Sequence, residues 1–105
     1  MLFGLSRLWP WSRRHAARPL KHLHVMLYTR NGCHLCDAAW EQLRLRGQRH
    51  GFNLHMIDVD GDPALRDRYG NDVPVVTING AVRFRGNVNE VLLDRLLRAE
   101  AARVR

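Results

Sequence analysis

Both cysteines of the chain, Cys33 and Cys36, lie in the stretch YTRNGCHLCDAAW, Tyr28 to Trp40, with His34 and Leu35 between them. A pair at this spacing can help hold a metal, close a structural disulfide or cycle as a redox dithiol. A structural bridge around so short a loop constrains the unfolded chain little and adds little stability. A four-coordinate zinc would want further Cys or His ligands at motif spacing, and the chain has no second CxxC and no HxxxH. The redox chemistry depends on how the two thiols are placed.

Cys33 falls where a strand hands over to a helix, the end of an open α/β sheet at which ligands and chemistry gather. A helix N-terminus presents unpaired N–H groups and a partial positive charge, which lower a thiol pKa from ~8.5 into roughly the 3.5–7.5 range. The thiolate is the nucleophile, so this position makes Cys33 reactive. Cys36 shares a helical face with Ala39 and Trp40 and is expected to turn toward the sheet as the more buried thiol. Cys33 would attack a substrate disulfide, and Cys36 would then attack Cys33 to release the reduced product. Arg30 and a protonated His34 would add positive potential near Cys33. His34 has two other readings, a metal ligand beside both cysteines and an indifferent surface residue. His50, near the helix end, and His55, read as a packed strand histidine, stand too far from the motif to complete a metal site.

The elements that must position these residues are legible from His24 onward. HVMLYT, His24–Thr29, is a short β-rich run and RNG is a turn. A helix follows from His34 to about Gln48, closed by Gly47 and Gly51. Residues 53–59 read as a second strand. Asp62 and Pro63 cap and open a short helix that Gly70 ends. VPVVTI and AVRFR are separated by Asn79-Gly80, a hairpin turn because both residues tolerate positive φ. The last helix runs from about Glu90 to Ala102, with Asn89 as cap, Val88 and Leu93 as hydrophobic staple, and Leu92, Leu93, Leu96 and Leu97 as its buried stripe. The order β-α-β-α-β-β-α predicts an α/β fold: a parallel pair with a right-handed crossover, then a hairpin. The result is a four-stranded mixed sheet with helices on both faces. Val73-Pro74 enters the third strand with a proline that cannot donate to the ladder. It is either a plain loop-to-strand boundary or a cis-proline opposite the CxxC that leaves adjacent backbone free for an incoming peptide or thiol.

Taken together, YTRNGCHLC, Val-Pro before a strand, the hairpin and the final helix resemble a glutaredoxin-like protein of the thioredoxin-fold superfamily, over about Leu23 to Ala102. HMIDVDGDPALRDRYG resembles the small, poorly characterised glutaredoxin-like type rather than a typical glutaredoxin. The resemblance implies a thioredoxin-like fold with Cys33 as nucleophile, Cys36 as resolving thiol and Pro74 as cis-proline. By it, Arg30 matches the basic residue that meets a glutathione carboxylate, and Val73 the residue whose backbone holds the glutathione cysteine. Two departures stand out. Typical members carry Pro-Tyr where this chain has His34-Leu35, and Arg85-Gly86-Asn87-Val88-Asn89 offers no carboxylate to the glutathione amine. The implied activity is reduction of protein disulfides or glutathione mixed disulfides, with no bound cofactor and glutathione as a potential co-substrate. Asp58 and Asp60, at the end of the second strand, read chiefly as turn and capping residues.

A length of 105 residues suits one domain, and 46% hydrophobic residues can build its core. No apolar run approaches the ~18–20 residues that span a bilayer. The formal charge of +7 is uneven: residues 1–21 hold five of the 17 Lys and Arg and no acid, while the rest set 12 against 10 Asp and Glu. Residues 1–22 are therefore read as a basic extension and residues 23–105 as the domain. The extension is expected to be unstructured, or else to make weak contact with an anionic surface. Its charges follow its apolar stretch, unlike a signal peptide, so the expected compartment is cytoplasmic and the expected state a monomer. Two rival functions stand beside the oxidoreductase. A metal or iron–sulfur carrier using Cys33 predicts visible absorbance. A basic-tail interaction module predicts salt-dependent binding that is lost with residues 1–21.

Overall fold

A computed structural model describes residues 19–103 of the chain. Four strands, β1 (His24–Thr29), β2 (Asn53–Asp58), β3 (Val75–Ile78) and β4 (Ala81–Arg85), form one sheet in the order β2-β1-β3-β4. β1 runs parallel to β2 and antiparallel to β3, and β3 runs antiparallel to β4. Three helices complete the mixed α/β fold: α1 (His34–His50), α2 (Pro63–Tyr69) and α3 (Glu90–Arg103). No helix among the described residues is long and apolar enough to cross a membrane.

Side-chain alternation along the strands divides the core between the two faces. Val25, Leu27, Val76, Ile78 and Phe84 face α1 and α3, where they meet Ala39, Leu43, Leu93 and Leu97. On the other face Val75 joins Tyr69, Val59, Tyr28 and Leu65 beneath the seven-residue α2. The larger cluster also takes in Leu20, whose exposure is 0%. The Leu20 amide donates to the His50 carbonyl at 2.7 Å, tying it to the end of α1. The packed chain thus starts ahead of residue 23, where the sequence places the domain boundary. Residues 1–18 of the expected extension lie outside the described residues.

Local chemistry explains most element ends. Asn79 (φ 49°) and Gly80 (φ 86°) make the β3–β4 turn, and the Asn79 side chain accepts the His24 amide at 2.8 Å, fastening the hairpin to β1. Asp62 caps α2 by accepting the Ala64 amide at 2.9 Å, with Pro63 in the first turn. Asn89 caps α3 by accepting the Leu92 amide at 3.0 Å. Gly51 (φ 79°) ends α1, whereas Gly47 lies inside the helix. A Cβ on Gly47 would stand 3.2 Å from the Phe52 ring, so the glycine there serves packing and not termination. One element escaped the sequence reading, a 3-10 turn over Val59–Gly61, held because Asp58 accepts the Asp60 amide at 2.9 Å. His55, expected to be packed, is exposed: β2 is an edge strand with a neighbour on one side only.

Candidate active site

β1 delivers the chain to the turn Arg30–Gly32, and α1 begins at once. Cys33 is the cap of that helix, in extended backbone (φ −97°, ψ 104°), and its Sγ accepts the Cys36 amide at 3.1 Å. The same orphan N–H that an N-cap oxygen would satisfy therefore points at a sulfur. Cys33 is half-buried, while Cys36 is only 2% exposed, on the face that carries Ala39 and Leu43 into the core. The two are joined as a disulfide with Cα atoms 5.1 Å apart. One sulfur is within reach of a visitor and the other is held behind it.

Two hollows flank this pair. A cleft of about 280 Å³ opens beside Cys36, between the Arg30–Gly32 turn and the β2 end, with the carboxylates of Asp37 and Asp58 on its wall. A second, of about 320 Å³, lies along Leu35, Val73, Asp72, Arg85 and Gly86. Leu35, the residue just before Cys36, is 55% exposed there. The Val73–Pro74 peptide is cis, and the Pro74 carbonyl accepts the Gly86 amide at 2.8 Å. Val73 itself is half-buried, and its backbone N–H and C=O have no hydrogen-bond partner among the described residues. An unpaired peptide group at the edge of a groove is a ready acceptor for an extended chain.

The charged residues sort less simply. Arg30 is not free: its Nε and Nη2 reach the two Asp60 carboxylate oxygens at 3.1 and 2.6 Å, and its Nη1 donates to the Gly70 carbonyl at 2.9 Å. The Arg30 hydrogen bonds hold the Asp60 carboxyl below the usual carboxylate range. Arg30 therefore braces the β1–α1 turn against the 3-10 turn and the end of α2. His34 is exposed at the first position of α1, without a hydrogen-bond partner among the described residues. No three His, Cys, Asp or Glu side chains converge as a metal-binding group among the described residues. Asn89, in the segment where a typical glutaredoxin has its acid, is occupied as the α3 cap.

Sequence reasoning did not single out Asp72 and Arg85. They meet through one bond, Arg85 Nη1 to Asp72 Oδ2 at 2.9 Å. The Arg85 guanidinium also lies over the Tyr69 ring, 5.7 Å from its centroid, and the Arg68 guanidinium lies 5.8 Å from the same ring. Nothing in the spacing of these residues announces the meeting, because Tyr69 ends α2 and Asp72 follows it, whereas Arg85 ends β4.

The family profile described as "Glutaredoxin-like domain (DUF836)" matches residues 24–98, the span that holds all of these features. An uncharacterized protein of Mycobacterium tuberculosis is 38% identical over 84 residues, which cover 75% of this chain and 82% of that protein. The X-ray structure of a protein from X. campestris is similar at 32% identity and a TM-score of 0.58, over 71% of this chain and 96% of that one. The glutaredoxin-like NrdH-redoxin of Escherichia coli, described for its thioredoxin-like activity profile, is similar at 30% identity and a TM-score of 0.51, over 70% of this chain and 93% of that one.

Proposed function

Because the chain belongs to the glutaredoxin-like family and has the thioredoxin-like fold, we propose that it is a thiol–disulfide oxidoreductase working through Cys33 and Cys36. The observation that carries this reading is the asymmetry of the pair. The accessible sulfur caps a helix and receives an N–H, and its partner is buried directly behind it.

The reaction starts from the reduced dithiol. The Cys33 thiolate, favoured by the Cys36 amide and the helix N-terminus, attacks one sulfur of a substrate disulfide. The Cys33–substrate bond forms as the substrate S–S bond breaks, and the distal sulfur leaves as a thiolate. Cys36 then loses its proton and attacks Cys33 Sγ. The intramolecular disulfide forms, and the second substrate sulfur leaves. Two electrons pass to the substrate, and the protons of the two thiols end on the two released sulfurs. The cleft along Asp37 and Asp58 gives the Cys36 proton a route to water. A thiol reductant, glutathione or a dithiol donor, restores the pair. The groove along Val73 and Leu35 receives the substrate, as a monomer and in the cytoplasm.

Protein disulfides suit the site better than glutathione alone. Arg30, which the resemblance matches to a glutathione carboxylate, is occupied by Asp60 and Gly70, and the segment Arg85 to Asn89 offers no carboxylate to the glutathione amine. The test is a trapping experiment. Reduced Cys36→Ser protein, mixed with a model protein disulfide, should accumulate an adduct on Cys33 that dithiothreitol releases. Wild-type protein should turn over, and Cys33→Ser should form no adduct. An adduct on Cys36 in the Cys33→Ser variant, or none in either, would contradict the assignment. Visible absorbance in anaerobically isolated protein would favour the carrier reading instead.

A further inference from the structure

The groove beside the disulfide contains a charge arrangement that the dithiol mechanism does not use. From it we infer that Arg85 is a specificity residue, selecting protein-borne disulfides whose cysteine is flanked by an acidic residue. This rests on the oxidoreductase reading of Cys33 and Cys36.

Asp72 and Arg85 line the same groove as Leu35 and Val73, so whatever lies along the Val73 backbone passes their ion pair. The pair is a single hydrogen bond between side chains that are 48% and 50% exposed, a type that contributes little and exchanges readily. An incoming carboxylate can therefore replace Asp72 at small cost. Arg85 would not lose its place on exchange, because its guanidinium also rests over Tyr69, a buried ring packed 4.7 Å from Tyr28. Arg68, whose guanidinium lies 5.8 Å from the same ring, makes no ion pair among the described residues and adds a second positive charge near Tyr69. Asp72 stands where a substrate carboxylate would bind.

The unpaired Val73 N–H and C=O favour an extended polypeptide as the carrier of that carboxylate. Leu35 offers apolar surface to the residue beside the substrate cysteine. Arg85, in turn, would bind an Asp or Glu a short step along the same strand. The attack itself is the exchange written above, and Arg85 acts on encounter and orientation. It is thus a determinant of substrate choice and not a participant in the chemistry.

Peptides carrying one cysteine as a mixed disulfide with thionitrobenzoate test this with the full chain. Attack by Cys33 on the peptide sulfur releases the coloured thiolate, and the release rate is read in single turnover. Glu-flanked peptide should react about three- to ten-fold faster than the Lys-flanked one, with the ratio shrinking as salt is added. Arg85→Glu should invert the order, Arg85→Lys should keep its direction, and Asp72→Asn should speed the Glu peptide by removing the resident competitor. A purely structural Arg85 does not predict the inversion. Equal rates for both peptides, or an order that Arg85→Glu leaves alone, would overturn the inference while leaving the dithiol chemistry intact. The glutathione–thionitrobenzoate disulfide is the third substrate. If it outruns the acidic peptide and depends on Arg85 in the same way, the carboxylate is glutathione's and the protein-borne class is wrong. If reduced protein reacts with none of the three, the oxidoreductase reading itself has failed.

Discussion

An arginine stands on each side of the disulfide, and the two are held in opposite ways. On the Cys36 side, Arg30 places all three guanidinium nitrogens: two on the Asp60 carboxylate and one on the Gly70 carbonyl. On the Leu35 side, Arg85 places one nitrogen on Asp72 and leans on Tyr69. Three-point attachment fixes a turn; one-point attachment between half-exposed groups leaves a charge that can change partners. The arginine that family resemblance nominates for substrate is thus committed to architecture, and the one that no motif nominates is available.

That contrast matters only if the disulfide between the arginines does chemistry, so the largest expected effect belongs to Cys33. Cys33→Ser should reduce turnover of a protein disulfide to the background rate. Arg30→Gln and Arg85→Gln should each leave measurable turnover. Equal loss in all three would erase the distinction between chemistry and its surroundings. Next in size is a control at the other end of β1. Leu20→Ala should lower stability to urea by about 2–5 kcal/mol, because it empties a fully buried site, yet leave the reduction potential unmoved.

The two arginines themselves should separate in stability. Arg30→Gln deprives the carbonyl of a buried Gly70 of its donor and should lower the midpoint of urea unfolding, with the preference between acidic and basic peptides kept. Arg85→Gln should stay within about 0.5 kcal/mol of wild type, as exposed substitutions do. The reverse ranking would break the comparison. The smallest effect is in pH. Arg30 holds Asp60, and Arg46 holds Asp94, below the ordinary carboxylate range. A depressed carboxylate contributes stability that is complete above its unfolded pKa of about 3.9 and is lost as pH falls through the folded value. These groups should therefore leave stability level above about pH 5 and erode it below about pH 4. Asp60→Asn should make that acid slope shallower in urea titrations, and an unchanged slope would argue against the Arg30 brace.

What could be read from the sequence was what local chemistry specifies. Asn79-Gly80 needs no tertiary partner to make a turn, nor do Asp62-Pro63 and Asn89 to start helices. The cysteine spacing and the helix-start position were likewise local. Features decided by residues far apart in the chain were not legible. Arg30 meets Asp60 across 30 positions and Arg85 meets Asp72 across 13, without periodicity to signal either contact. Leu20 looked like leader because charge composition, which says nothing about packing, drew the boundary. Gly47 read as a helix end because its reason for being glycine is the Phe52 ring. His55 read as packed because a β-rich run does not tell an edge strand from a central one.

The most direct test of the central claim is the reduction potential of the Cys33–Cys36 pair, equilibrated against glutathione redox buffers and read by thiol alkylation and mass. The account predicts a single two-electron transition between roughly −270 and −200 mV, the range of thioredoxins and glutaredoxins. If no intramolecular disulfide forms at any buffer ratio, the buried Cys36 does not resolve Cys33, and the dithiol mechanism is wrong.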